Sequence, residues 1–421
     1  MHSQARIYYF CSSMKVKYET HTLPNGIRLI HNQNVSEVAH FGLLVHTGSR
    51  DERPDEHGLA HFMEHMFFKG TKKRSAYQII SRLEDVGGEI NAYTTKEETA
   101  IYASFLKGDL KKAIELIHDI FMNSVFSEKE RKKEAEVILS EIQTYEDSPA
   151  ELIFDQAEEI LFPEHAIGRN ILGTKESLSR FQNGLVESFL NENYATDEMV
   201  LCSIGNVPFK TIIKYAEIYF RDLSSKGRVR ARVSPTATRG LKQKISRKTF
   251  QTHCIISGEA YSYKSEDRVA LHLLNNILGG PGMNSRLNMA LRERRGYSYS
   301  AESHYLAYTD SGAMNIYFSC DKDRFQQSME VTRGELKKLR NNLIPENRLS
   351  YARRQLLGQI AISSENSEHL MLSMAKSFLL FNKVDSLEDV SKKLEAASAE
   401  KLRTIANEVF DKKLLNTLIY E

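Results

Sequence analysis

The chain has 421 residues, 41% hydrophobic and 27% charged, with only 8 prolines. This composition excludes a disordered or fibrous protein, and the length exceeds one ordinary core, so two domains are expected. A formal net charge of +2 argues against a dedicated polyanion binder, so no nucleic-acid partner is expected.

Residues 1–13 read as an N-terminal tail. Their apolar run IYYF is shorter than the roughly 7 residues of a signal-peptide core, and Met14 is an alternative start. Two alternating segments around Asn25-Gly26 then read as a β-hairpin, and EVAHFGLLVHTG as a buried strand. Helical periodicity follows at 57–69, 75–86, 109–124 and 128–146, with two strands in GGEINAYTTKEETAIYASFL. DEMVLCSIGNV reads as a strand and PFKTIIKYAEIYF as a helix. These elements form an N-terminal domain over 14–225.

KGRVRARVSPTATRGLKQKISRK, residues 226–248, is basic, free of acids and broken by a proline and two glycines. It reads as a solvated interdomain linker, and without interleaved aromatics it lacks the stacking groups of a nucleic-acid module. Over 249–421 the element order recurs: strand, two helices, two strands, long helices, and a closing strand in LLNTLIY. The fold class expected is α+β, two duplicated α/β halves of mostly antiparallel sheet with helices packed on it. The four cysteines (Cys11, Cys202, Cys254, Cys320) are scattered without a CxxC pair. That disfavours a disulfide framework or a cysteine metal site and favours a reducing compartment, with cytoplasm expected. No stretch is long and apolar enough for a spanning helix, so no membrane association is expected.

The chemistry concentrates in HGLAHFMEHMFFKG. On a helix His61 and His65, at i and i+4, lie about 40° apart, so both imidazoles face one way and can reach one zinc ion. Glu64 stands beside them as a candidate general base. His57, before Gly58, reads as a bystander. A catalytic zinc usually takes three protein ligands, and the helical segment RKKEAEVILSEIQTYEDSP offers two glutamates. Glu141 lies 141 − 65 = 76 residues beyond His65 and could bind the metal. Glu134, two turns earlier on the same face, could act just outside it. A solvated glutamate face and a structural histidine pair account for the same residues.

HGLAHFMEHMFFKGT, GGEINAYTTKEETAIY and EAEVILSEIQTYEDSP together resemble the M16, or pitrilysin-type, metallopeptidases. The likeness is to the β subunit of mitochondrial processing peptidase and its bacterial single-unit homologues, from about Tyr18 to the end of the chain. The resemblance implies one Zn²⁺ per chain held by His61, His65 and Glu141, with Glu64 as catalytic base and Glu134 as supporting acid. It implies that Asn91 and Ala92 lie on an edge strand that pairs with substrate backbone. In LGGPGMNSRLNMALRERRGYSYSAESHY it implies that Arg292 and Tyr299 contact substrate carbonyls. The function implied is an endopeptidase acting on peptides or unfolded segments in a closed homodimeric chamber. The alternatives are a heterodimer with an inactive paralogue, and a non-catalytic structural subunit of the same fold. No motif encodes the substrate, the cleavage preference or the metal used in the cell.

Overall fold

A computed structural model of the chain describes residues 17–224 and 227–421, apart from the Asn183 side chain. The expected tail, Cys11 and Met14 lie outside the described residues, as does Lys226. Tyr18–Thr22 (β1) and Arg28–Gln33 (β2) form the hairpin expected around Asn25-Gly26. Gly26 turns it at φ +96°, where a side chain would be strained. With β3 (Val38–Val45), β4 (Glu89–Thr94), β5 (Thr99–Leu106) and β6 (Met199–Gly205) the hairpin builds a sheet ordered β1-β2-β6-β3-β5-β4. Every residue of β6 is buried, and its run of apolar side chains fits a central strand covered on both faces. The helices of this half are α1 (Leu59–Phe67), α2 (Ala76–Glu84), α3 (Leu110–Asn123), α4 (Glu128–Glu146), α5 (Pro149–Leu161), α6 (Lys175–Leu178), α7 (Asn183–Asn193) and α8 (Phe209–Phe220).

The second half contributes β7 (Lys242–Ile245), β8 (Thr252–Glu259), α9 (Arg268–Gly279), a π-helical segment Asn288–Glu293, β9 (Ser298–Ala307) and β10 (Gly312–Cys320). It continues with α10 (Phe325–Asn341), α11 (Glu346–Ser363), α12 (Ser367–Phe381), α13 (Leu387–Ala396), α14 (Ala399–Val409) and β11 (Asn416–Tyr420). Its sheet is ordered β7-β11-β8-β10-β9. With the extra strand β1 set aside, the two orders are the same, and in each sheet only the pair at the same place is parallel: β2–β6 and β7–β11. The fold is therefore α+β with two duplicated halves.

The compact units are not the contiguous halves that the sequence suggested. Unit 1 comprises residues up to 142, 171–232 and 361–386, and unit 2 comprises 143–170, 233–360 and 387–421. Helix α12 from the C-terminal half covers the first sheet, packing Met371, Met374 and Phe378 on Ile30, Leu44 and Val200. Helix α5 from the N-terminal half covers the second, packing Ile153 and Ala157 on Ile255, Tyr317 and Leu418. Each fully buried side chain of this kind is worth about 1.5–3 kcal/mol, so burial, not chain proximity, sets the partition.

The basic stretch also departs from its expectation as a solvated linker. Arg228, Arg230 and Arg232, spaced two residues apart, all reach buried acids of unit 1. Arg228 Nη1 lies 3.1 Å from Asp51, Arg230 Nη1 3.1 Å from Glu56, and Arg232 Nη2 2.8 Å from Asp51. The Glu56 side chain is fully buried and that of Asp51 4% exposed; such carboxylates need paired cations. Further along, residues 242–245 are strand β7 itself. Cys202, Cys254 and Cys320 are buried free thiols. No described helix is long and apolar enough to cross a membrane.

Candidate active site

Helix α1 carries the histidine pair and buries its other side through Leu59, Phe62, Met63, Met66 and Phe67. Gly58 enters it at φ +90°, and a Cβ there would stand 2.6 Å from the Gly173 backbone. Without a capping side chain at that position, the first amides are satisfied from upstream. The buried Glu52 accepts from Gly58 N–H at 2.9 Å and from Ala60 N–H at 2.8 Å. Two charge-assisted bonds at the positive end of the helix fix how α1 leaves its turn.

On α4, Glu134, Ile138 and Glu141 share one face at i, i+4 and i+7. Ile138 is buried in the core, which holds the two carboxylates towards α1. His61 Nε2 lies 3.8 Å and His65 Nε2 3.7 Å from Glu141 Oε2. Among the described residues these three are the group of His, Cys, Asp and Glu side chains whose ligand atoms converge. The separations are too long for hydrogen bonds, yet near the tetrahedral edge of about 3.4 Å that follows from zinc–ligand distances of about 2.1 Å. His61 Nδ1 is buried without a hydrogen-bond partner, so neither nitrogen of this ring is satisfied by protein. Burial pushes the His61 imidazolium down to about 4, with the neighbouring His65 acting in the same sense. The ring is thus neutral at physiological pH, the form that binds metal. A His₂Glu donor set of this kind fits zinc.

Glu134 lies just outside the three. Its side chain is 1% exposed, with Oε2 3.3 Å from His65 Nδ1. Lys69 Nζ stands 2.8 Å from Oε1, as an ion pair. The far nitrogen of His65 is thereby oriented by a carboxylate, the usual partner of a ligating imidazole. Burial raises the Glu64 carboxyl above its ordinary value; Glu141 adds to the rise, while Thr94 hydrogen bonds and His65 oppose it. Thr94 ends β4, and its Oγ1 also reaches Ala60 O at 3.5 Å.

Asn91 and Ala92 are in the middle of β4, which pairs with β5 alone and forms the edge of the first sheet. The structure thus places all seven unit 1 residues predicted from sequence on α1, α4 and β4. Arg292 and Tyr299 belong to unit 2, where the π-helical segment and the edge strand β9 carry them to one cleft. Both are exposed, Tyr299 at 68%. His57 follows a short 3₁₀ turn and is not in the converging group. Glu52, Lys69 and Thr94 were not foreseen. Lys69, one turn beyond His65, had a sequence signal, whereas Glu52 and Thr94 come from elements outside the helix they support.

Residues 28–175 match the family model described as insulinase, peptidase family M16, and residues 181–356 match that of the peptidase M16 inactive domain. A Bacillus subtilis protein named uncharacterized zinc protease YmxG is 33% identical over 403 residues, covering 95% of this chain and 97% of its own length. A Streptomyces coelicolor protein, also named an uncharacterized zinc protease, is 32% identical and covers 93% of this chain and 87% of its own. In fold, the crystal structure of a Helicobacter pylori protease superposes with a TM-score of 0.89 at 20% identity, covering 96% of this chain and 99% of that one. Nearly full-length identity above 30%, over the segments that carry the α1 and α4 residues, establishes that the chain belongs to peptidase family M16.

Proposed function

We propose that this chain is a zinc-dependent endopeptidase whose metal is held by His61, His65 and Glu141. The observation that carries the reading is the convergence of these three donors on α1 and α4, with Glu64 beside them and the edge strand β4 next to α1. Zinc, when bound there, would supply Lewis acidity to polarise a scissile carbonyl and would acidify water near it. Glu64 takes the proton of the attacking water and delivers it to the leaving amine nitrogen. Its upward-shifted carboxyl suits both halves of that transfer. Glu134 holds the His65 ring through Nδ1 and balances charge with Lys69. The open edge at Asn91 and Ala92 lets a peptide add as one more strand, so recognition is mainly of backbone and selects extended or unfolded segments. Arg292 and Tyr299, with exposed N–H and O–H donors, bind substrate carbonyls.

The closed chamber and the homodimer rest on the family resemblance, in which two-unit chains need a partner to enclose substrate; a heterodimer with an inactive paralogue is the alternative. The test combines metal content with hydrolysis of a mixed library of quenched peptides, for wild type and Glu64→Gln. The expected result is about one zinc per chain in both, with turnover reduced by about 10²–10⁴-fold in the variant. Loss of zinc from Glu64→Gln would overturn the assigned role of Glu64. Absence of zinc from folded wild type would instead favour a non-catalytic subunit. Light scattering of the same sample gives the dimer mass or rejects it.

A further inference from the structure

Duplication allows unit 2 to be read against unit 1, position by position. In the first sheet Leu43 of β3 opposes Leu201 of β6, which opposes Leu29 of β2. All three are at most 1% exposed. The same row in the second sheet reads Ile256 of β8, Thr417 of β11 and Lys242 of β7. Above the first row, α8 packs on α3 and β2 and buries Phe209, Ile212, Ala216 and Phe220. His118, the ninth residue of α3, meets Phe220 edge-on with ring centroids 5.4 Å apart. The counterpart of α3 is α10, which likewise follows a three-residue 3₁₀ turn, and its ninth residue is Arg333.

In unit 1 α8 follows β6, whereas among the described residues no helix follows the counterpart strand β11. What stands there is a cavity of about 420 Å³, within the range of sites for small ligands. Its floor is apolar: Ile256, Leu336, Phe410 and Leu415 line it and are at most 8% exposed. Lys242, Arg333, Lys337 and Lys412 also line it, and no acidic side chain does. Arg340 is occupied by the nearby Asp411, with Nη2 3.4 Å from Oδ2, whereas the other four cations enter no ion pair among the described residues. Lysine stems can cover apolar surface without any ligand. Here, however, the core position held by Leu29 in the sister unit is Lys242, which joins Arg333, Lys337 and Lys412 in a cationic rim over a recessed floor.

We propose that this cavity binds an amphiphilic anion, an apolar chain or ring carrying one carboxylate or phosphate headgroup. The apolar part fills the seat that α8 fills in unit 1, and the headgroup pairs with Arg333 and Lys337. The site is remote in sequence from the metal ligands, and its occupancy does not depend on the peptidase reading. The test is calorimetric titration of the full zinc-loaded chain with dodecanoate below its micellar concentration. Dodecanol, dodecyl phosphate, phosphatidylglycerol vesicles and an acidic amphipathic helical peptide form the other arms. Dodecanoate is expected to bind one to one. The double substitution Arg333→Glu with Lys337→Glu, both at exposed positions, should weaken it by about tenfold or more, and Lys210→Glu in unit 1 should leave it unchanged. Circular dichroism melts verify that each variant folds. Dodecanol binding as tightly as dodecanoate, or dodecanoate affinity indifferent to the reversals, would overturn the proposal. So would binding to vesicles or to the peptide with none to free dodecanoate or dodecyl phosphate, which would make the cavity a membrane contact or a helix seat.

Discussion

Glu134 is almost wholly enclosed, yet its carboxylate meets His65 and Lys69 rather than core side chains. Partners of this kind keep a ligating imidazole in one tautomer and raise its basicity. Glu134→Gln keeps the shape but loses the charge, and is expected to weaken zinc affinity about 10–100-fold, read by competition with a chelator. Unchanged affinity would remove Glu134 from the metal's support. Asp51 poses a different residue-scale question, that of acid stability. Burial alone would raise its carboxyl, but hydrogen bonds and charge from Arg232, with Arg228 and the Gly48 N–H, outweigh burial and hold it below the ordinary value. A carboxyl depressed in the folded state stabilises the fold above its unfolded pKa of about 3.9, and that stability is lost as pH falls through the folded value. Asp51→Asn should therefore melt lower at pH 7 and lose less than wild type between pH 5 and 3. Parallel losses in both proteins would show that Asp51 does not carry the linkage. The histidine pair was legible because helical spacing brings i and i+4 together whatever surrounds them. The salt bridges of Arg228 and Arg232 to Asp51 span about 180 positions, and no local pattern announces them.

At the scale of elements, the strongly periodic strands and helices followed from periodicity, since a period of 2 or 3.6 is written into such a segment by which face it buries, whereas α5, α6 and α7 had not been expected. Strand β4 was expected as part of a two-strand segment, and the family resemblance implied that it lies at an edge; periodicity by itself does not give that position, which follows from the order in which strands pair. The same holds for β7, which sits in a basic, proline-containing stretch without apolar alternation and is a strand because β11 pairs with it. Helix α12 shows an element's partner changing while its type stays as expected. Met371, fully buried, packs beneath the sheet of unit 1 from a position in the C-terminal half of the chain. Met371→Ala should destabilise by about 2–5 kcal/mol, and hydrogen exchange should quicken in β3 and β6 while β8 and β10 stay protected. Quickening confined to β8 and β10 would place α12 with the other unit.

At the scale of the whole molecule, interleaving makes the two halves of the chain incomplete by themselves. A fragment of residues 1–225 would lack α12 and leave the apolar face of Ile30, Leu44, Val200 and Ile204 uncovered, while its α5 would have no sheet to cover. It is expected to show no cooperative melt alone and to regain one when co-expressed with residues 226–421; independent folding of the fragment would contradict the partition. Sequence alone determined the types of the strongly periodic elements, the repeated order of the halves, the family likeness and the cluster of His61, Glu64 and His65, because helical and strand periods are local. The tertiary structure decided which helix covers which sheet, where Glu141 and Glu134 stand against α1, and what the basic stretch is for. Those outcomes depend on burying apolar faces and pairing buried charges between residues far apart in the chain, and no local pattern records which distant partner will supply them.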